Sequence, residues 1–446
     1  MRDHRYIVQI KHISNKNKLF FMNLEKVVLN CEIIPQEKLL DAIVLLKFAE
    51  VDKKILLVLN PDLEWKDVFV KDNESWVRIT PKEGVLPDDF LLEIGKLWEI
   101  DLAETSFNTS KNKVTIKASY RGEILNSSWD LSYINADFVE LASYGLWYPV
   151  TPTLDKHAFE LTLAGPLHWK WIANGNLIST FKKGDQTIYY WKNESPENDI
   201  TVLGLPSEKA HQKEGSIFWG PKEYVNKNSI FEEILIERKL AMDKWLGKAI
   251  TGQPFYYVFT PRTSGGQYSR YQLIATVQEL PKEEEMIPRV LQSMLHEISH
   301  FWWNKTPTSS YHNWLDEALA EYTSSLIISE KYGGDDWLEN RANRVLSVLE
   351  KAGNLPSIRN TPRSHKDAYT LFYYRGFLLF RELHKKLGTE LLKDLLRAFV
   401  EKTESIQVVT TSDFLEMLKN YSEKIDYDLI KLTNNWLDFA GEGIPK

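Results

Sequence analysis

The spacing of hydrophobic and polar positions changes once along this chain. Over roughly the first two hundred residues the apolar runs are short and alternate with polar positions. "NKVTIKASYRGEIL" and "HAFELTLAG" repeat β-branched and aromatic residues with period two, which predicts half-buried strands. "ILLVLNPDLEWKDVFVKD" (Ile55–Asp72) reads as strand, Asn-Pro-Asp turn, strand. "TIYYWKNESPENDITVLGL" reads as a further strand pair about a polar turn. Past about Leu205 the period lengthens. "SIFEEILIERKLAMDKWLGKAI" places apolar residues at helical spacing, a short strand "PFYYVFTP" and a Gly-Gly loop follow, and from Glu283 onward the pattern is helical almost to the end. The simplest partition is a β domain over 1–205 and an α-rich domain over 206–446, with the boundary near Pro206.

Composition narrows the class. A chain of 446 residues exceeds one ordinary core, and 43% hydrophobic with 26% charged residues fits a globular protein. The formal net charge of −7 and the lack of a Lys/Arg tract argue against nucleic acid as a partner. Cys31 is the single cysteine, so neither an internal disulfide nor a cysteine zinc site is available, and Cys31 itself reads as a small buried hydrophobe. "MRDHRYIVQIKHIS" lacks the apolar core of a signal peptide, and the greasiest stretch, Leu39 to Leu59, is broken by charges. The expectation is a cytoplasmic protein with no transmembrane segment, or a domain of something larger. Its oligomeric state is not legible.

Chemistry enters at "LHEISHFWW". In a helix His296 and His300 lie one turn apart on one face, so two imidazoles aim at one point. Glu297 sits about 100° around the helix, beside a bound ion and not on it, available as general base for an activated water. With ten histidines in the chain the pattern arises by accident in roughly one or two per cent of such sequences, so it needs support from elsewhere. The same helix also serves the core through Ile287, Val290, Leu291, Met294, Leu295 and Ile298.

A catalytic zinc takes three protein ligands and keeps a fourth position open. "NWLDEALAEYTSSLI" (Asn313–Ile327) predicts a second helix whose core side holds Trp314, Leu315, Ala318, Leu319 and Tyr322. Glu317 and Glu321 stand four apart on one of its faces, and two such carboxylates need partners when buried. Glu317 is the expected third ligand, and Glu321 is expected to orient a ligand histidine through its free ring N–H.

The whole segment "HEISHFWWNKTPTSSYHNWLDEALAEY" resembles the gluzincin zinc metallopeptidases of the thermolysin-like clan, and among them the aminopeptidase N family. The spacing from His300 to Glu317 is shorter than the family's usual one, and the glycine expected before Asn304 is missing. "YRGEI" and "WYPVTPTLDKHAFELTLAGP" are similar to landmarks of that family's saddle-like antiparallel β domain, and "TTSDFLEML…WLDFAGEGIP" to the end of its catalytic domain. The resemblance implies an α+β protein with a saddle-like antiparallel β domain preceding a thermolysin-like, mainly α-helical catalytic domain without the C-terminal domains of many members. It implies one Zn2+ per chain and a peptide substrate. "FYYRGFLLF" is similar to the family's oxyanion-stabilising tyrosine segment and aligns that role with Tyr373; Tyr369 and Tyr374 read as core aromatics.

One motif departs. The family's G-x-M-E-N loop binds the substrate backbone and, through its glutamate, the free α-amine. Here the place holds "SGGQYSRYQLIAT", where Gly265 and Gly266 keep the backbone signature of close approach. Gln267 and Tyr268 replace the methionine and glutamate, and a phenol cannot give a carboxylate's charge-assisted bond to an amine. No G-x-x-x-x-G-K pattern makes this a phosphate loop. His312 and His365 read as structural or solvated, and "KEEE" (Lys282–Glu285) as the acidic opening of the zinc helix. The chain thus reads as a zinc peptidase, first of all an aminopeptidase. The alternatives are a zinc peptidase for blocked N-termini or internal bonds, and a non-catalytic metal-containing binding module.

Overall fold

The computed structural model describes residues 22–51, 53–72, 75–92, 94–105, 113–249 and 255–445. The N-terminal stretch read as lacking a signal peptide lies outside the described residues. Within them a multi-sheet β region precedes a helical region, the α+β order expected.

An eight-stranded sheet runs in the order 176–183, 186–197, 157–166, 22–34, 39–51, 114–123, 63–72 and 75–78. Its neighbours are antiparallel except Met22–Ile34 against His157–Pro166, which are parallel. The alternation in the sequence becomes alternation in burial, with Val27, Leu29, Cys31 and Ile33 inward on one strand and Phe159, Leu161 and Leu163 on the next. Smaller sheets of four and three strands pack alongside.

Two expected strand pairs are strands but not pairs. Lys54–Leu59 and Leu63–Asp72 join different sheets, although the turn between them forms, with Asp62 N–H donating to Asn60 Oδ1 (2.9 Å) and Asn60 Nδ2 donating to Asn126 O (3.0 Å) and Gly145 O (2.7 Å). Likewise Gln186–Glu197 closes on the large sheet, whereas Val202–Pro206 is central in the four-stranded one. Period two fixes which face is buried and carries no information about the partner.

A five-stranded sheet follows, ordered 210–211, 218–221, 256–259, 273–276 and 268–270, with Tyr268–Arg270 at its edge. The helices are α1 (Lys222–Asn228), α2 (Glu232–Leu246), α3 (Ile287–Ser299), α4 (Trp314–Ser329), α5 (Gly334–Ala352), α6 (Gly376–Thr403), α7 (Thr411–Ile425) and α8 (Leu429–Asp438). Helix α3 begins at Ile287 with Pro288 in its first turn, so Lys282–Glu285 precedes the helix and does not form its opening turn. No helix among the described residues is long and apolar enough to cross a membrane.

Every residue of α4 is buried. Its large apolar side chains each contribute about 1.5–3 kcal/mol by leaving water, but its acidic residues must then find partners. Asp316 takes the backbone N–H (3.0 Å) and hydroxyl (2.6 Å) of Thr306. Glu317 and Glu321 turn toward α3. The β and helical regions are joined by buried ion pairs, Arg262 Nε to Glu140 Oε2 (3.1 Å) and Arg270 Nε to Asp199 Oδ2 (2.7 Å).

Candidate metal centre

His296 on the last turn of α3 and His300 at its C-terminal cap face each other with Nε2 atoms 3.2 Å apart. Glu317 Oε2 lies 3.5 Å from both. The outer nitrogens are already committed: His296 Nδ1 donates to Glu321 Oε2 (2.9 Å) and His300 Nδ1 to the Trp303 carbonyl (2.8 Å). Both acceptors lack a proton to give, so each Nδ1 carries the hydrogen and each Nε2 presents a lone pair inward. Glu317 Oε2 is buried with no hydrogen-bond partner. Three acceptors thus converge where nothing in the chain donates, which is costly unless a cation sits among them. An ion about 2.0–2.1 Å from tetrahedral ligands separates those ligands by about 3.3 Å, and the observed 3.2–3.5 Å fits. Among the described residues this is the one cluster of His, Cys, Asp or Glu able to hold a metal.

The support around these three residues is dense. Glu321 also accepts from Gln292 Nε2 (3.2 Å), and its other oxygen is paired with Arg341 of α5. Gln292 sits one turn before His296, so helical spacing held that signal; Arg341 gave none. The off-centre oxygen of Glu317, Oε1, faces Arg363 Nη2 at 3.4 Å. Burial works against the Glu317 charge, and the Arg363 guanidinium favours it. Glu297 is half-buried beside them; burial pushes its carboxyl up, and the Glu317 charge adds to this. A raised carboxyl suits a proton carrier.

Tyr373 lies in a π-helical turn (Thr370–Arg375) leading into α6, a local irregularity of the kind found at functional sites. Its ring stacks on His296, centroids 5.3 Å apart and 14° from parallel, and Tyr369 stacks against it at 4.3 Å. Burial raises the phenol well above its ordinary range, with the Glu317 charge adding to it, so Tyr373 keeps its proton. The turn seats closely because Gly376 has no side chain: a Cβ there would lie 2.6 Å from Ala318 Cβ. Tyr369 is half exposed, contrary to its reading as a core aromatic, whereas Tyr374 packs against the helical core.

The loop ahead of α3 is divided in its contacts. Gly265 adopts φ +97°, a glycine conformation, and the Gly266 carbonyl accepts from Arg262 Nη1 (2.9 Å). Gln267 accepts from the Tyr257 hydroxyl and donates to Ser293 Oγ (3.0 Å), one helical turn before Glu297. Tyr268 is turned away from solvent at 3% exposure and donates to Glu140 Oε1 (2.9 Å). His312 pairs with Thr411 and His365 lies near Asp367, both apart from the cluster.

Residues 267–436 match the Peptidase family M1 domain. The M1 match runs from Gln267 through α3, α4 and the Tyr373 turn into α8. No curated protein sequence matches the chain. The fold is similar to that of an M1 zinc metallopeptidase variant from Deinococcus radiodurans bound to a Tyr-Ser-Ala substrate, with a TM-score of 0.71, 16% identity and 95% of each chain covered. It is also similar to leukotriene A4 hydrolase from Saccharomyces cerevisiae, with a TM-score of 0.68, 13% identity, 95% of this chain and 69% of that one. At these identities the likeness is one of fold.

Proposed function

We propose that this chain is a zinc-dependent peptidase, and that it acts first as an aminopeptidase. The observation that carries the proposal is the inward-facing triangle of His296, His300 and Glu317 with Glu297 on the adjoining helical position. Zinc held by these three would supply Lewis acidity, polarising a scissile carbonyl and lowering the pKa of a water in the site. Glu297 takes the proton of the attacking water and passes it to the leaving amine. Tyr373 donates its O–H to the oxygen that becomes anionic. Glu321 keeps the His296 ring oriented. The strand Tyr268–Arg270 lies at the sheet edge, where an extended peptide can align, with open space at Gly266 and Gln267 at the approach. The Deinococcus neighbour's peptide substrate supports a peptide here as well.

A second reading keeps the chemistry and changes the substrate. Tyr268 occupies the place of the amine-binding glutamate in the family this chain resembles, and its hydroxyl is spent on Glu140. Glu140 is itself fully buried and paired with Arg262, so neither group is free for a charged amine. That favours blocked N-termini or internal bonds. Zinc quantitation with cleavage mapping on a mixed peptide library tests the first proposal: one zinc per chain and chelator-sensitive cleavage support it, and metal-loaded protein that cleaves nothing refutes it. One peptide offered with a free and an acetylated N-terminus separates the two readings, since strong preference for the free amine rejects the second.

A further inference from the structure

We infer that Arg363 is a positioning residue for Tyr373, holding the phenol so that its O–H points into the cleft. This rests on the assignment of Tyr373 as donor to the oxyanion. Stacking against His296 and Tyr369 fixes the plane of the Tyr373 ring but leaves the O–H free to rotate about its C–O bond. Arg363 Nη2 approaches the Tyr373 hydroxyl oxygen to 3.2 Å, and the guanidinium carbon lies 5.4 Å from the ring centroid. A guanidinium has five donors and no acceptor. The phenol oxygen must therefore accept from Arg363, and its hydrogen cannot be spent on that contact. The competing acceptor for the hydrogen is Glu317, whose charge acts on the phenol. Arg363 meets that competitor too, because the same Nη2 lies 3.4 Å from Glu317 Oε1. One side chain thus occupies both the phenol lone pair and the carboxylate oxygen that would otherwise draw the proton inward. Arg363 comes from the loop "NTPRSH", where no periodicity marks it.

The test is a double-mutant cycle on zinc-loaded protein with one peptide substrate. Arg363→Ala is expected to lower kcat about 10-fold to 100-fold with KM changed less than about 3-fold. In a Tyr373→Phe background the same substitution is expected to cost less than about 3-fold, because the group it acts through is gone. Arg363→Lys keeps a cation but not the planar fork and is expected to restore part of the loss. Affinity for a phosphinic analogue of the peptide, measured by calorimetry, should follow the same cycle. Zinc content and thermal midpoint are read on each variant, and Arg363→Gln replaces Arg363→Ala if the latter does not fold. Equal losses in both backgrounds, or an unchanged kcat in Arg363→Ala, overturn the inference. A Tyr373→Phe protein with wild-type kcat instead removes the assignment of Tyr373 itself, a result read from the single variant, and the inference falls with it.

Discussion

Glu321 Oε2 accepts the Nδ1 hydrogen of His296 at 2.9 Å, and this contact decides which nitrogen His296 turns toward the metal site. The carboxylate is in turn held by Gln292 and Arg341, so the tautomer is set by residues that touch no ion.

Glu321→Ala is therefore expected to weaken zinc binding about 10-fold to 100-fold while leaving all three ligands in place. Competition with a chromogenic chelator measures it. Unchanged affinity would show that the His296 orientation is set elsewhere.

Tyr373→Phe removes one O–H and little volume. The expected loss is about 100-fold to 1,000-fold in kcat with zinc content unchanged. Steady-state kinetics beside metal analysis check this, and a loss confined to KM would place Tyr373 in substrate binding only.

Gly376→Ala adds a methyl where a Cβ would lie 2.6 Å from Ala318 Cβ, one residue from Glu317. Overpacking of this kind costs typically about 1–3 kcal/mol. Denaturant unfolding should show that loss, together with weaker zinc binding as α4 and the Tyr373 turn move apart.

Glu197 is buried between the two regions, with Asn304 Nδ2 donating to it at 3.2 Å. Burial pushes its carboxyl up to about 7 from an ordinary 4.5, against the nearby Lys156 and Arg270 charges. Below about pH 4.5 the carboxyl is neutral whether folded or unfolded. As pH rises toward 7 the unfolded chain ionises first, so stability present at acid pH is lost, by about 3 kcal/mol at most. Glu197→Gln is expected to flatten this decline between about pH 4.5 and 7 in a thermal-midpoint series. Parallel curves for the two proteins would contradict it.

The candidate metal cluster was legible in the sequence because helical spacing puts His296 and His300 on one face of α3, and Glu317 and Glu321 on one face of α4. Their burial adds what spacing could not, the direction of each lone pair. Strands were legible as strands, but their partners were not: Gln186–Glu197 and Val202–Pro206 have the alternation of a hairpin and belong to different sheets. Arg363 and Arg341 were invisible because a loop and a neighbouring helix bring them in through tertiary packing. The motif resemblance puts Tyr268 at the cleft, and the structure spends its hydroxyl on Glu140, a buried carboxylate that needs donors.

The most direct test is peptide cleavage by Glu297→Gln at matched zinc occupancy. This substitution leaves His296, His300 and Glu317 untouched and removes only the proton carrier. Both proteins are expected to hold one zinc per chain, with the rate lowered at least about 100-fold in the variant. Cleavage by the variant at the wild-type rate would contradict this.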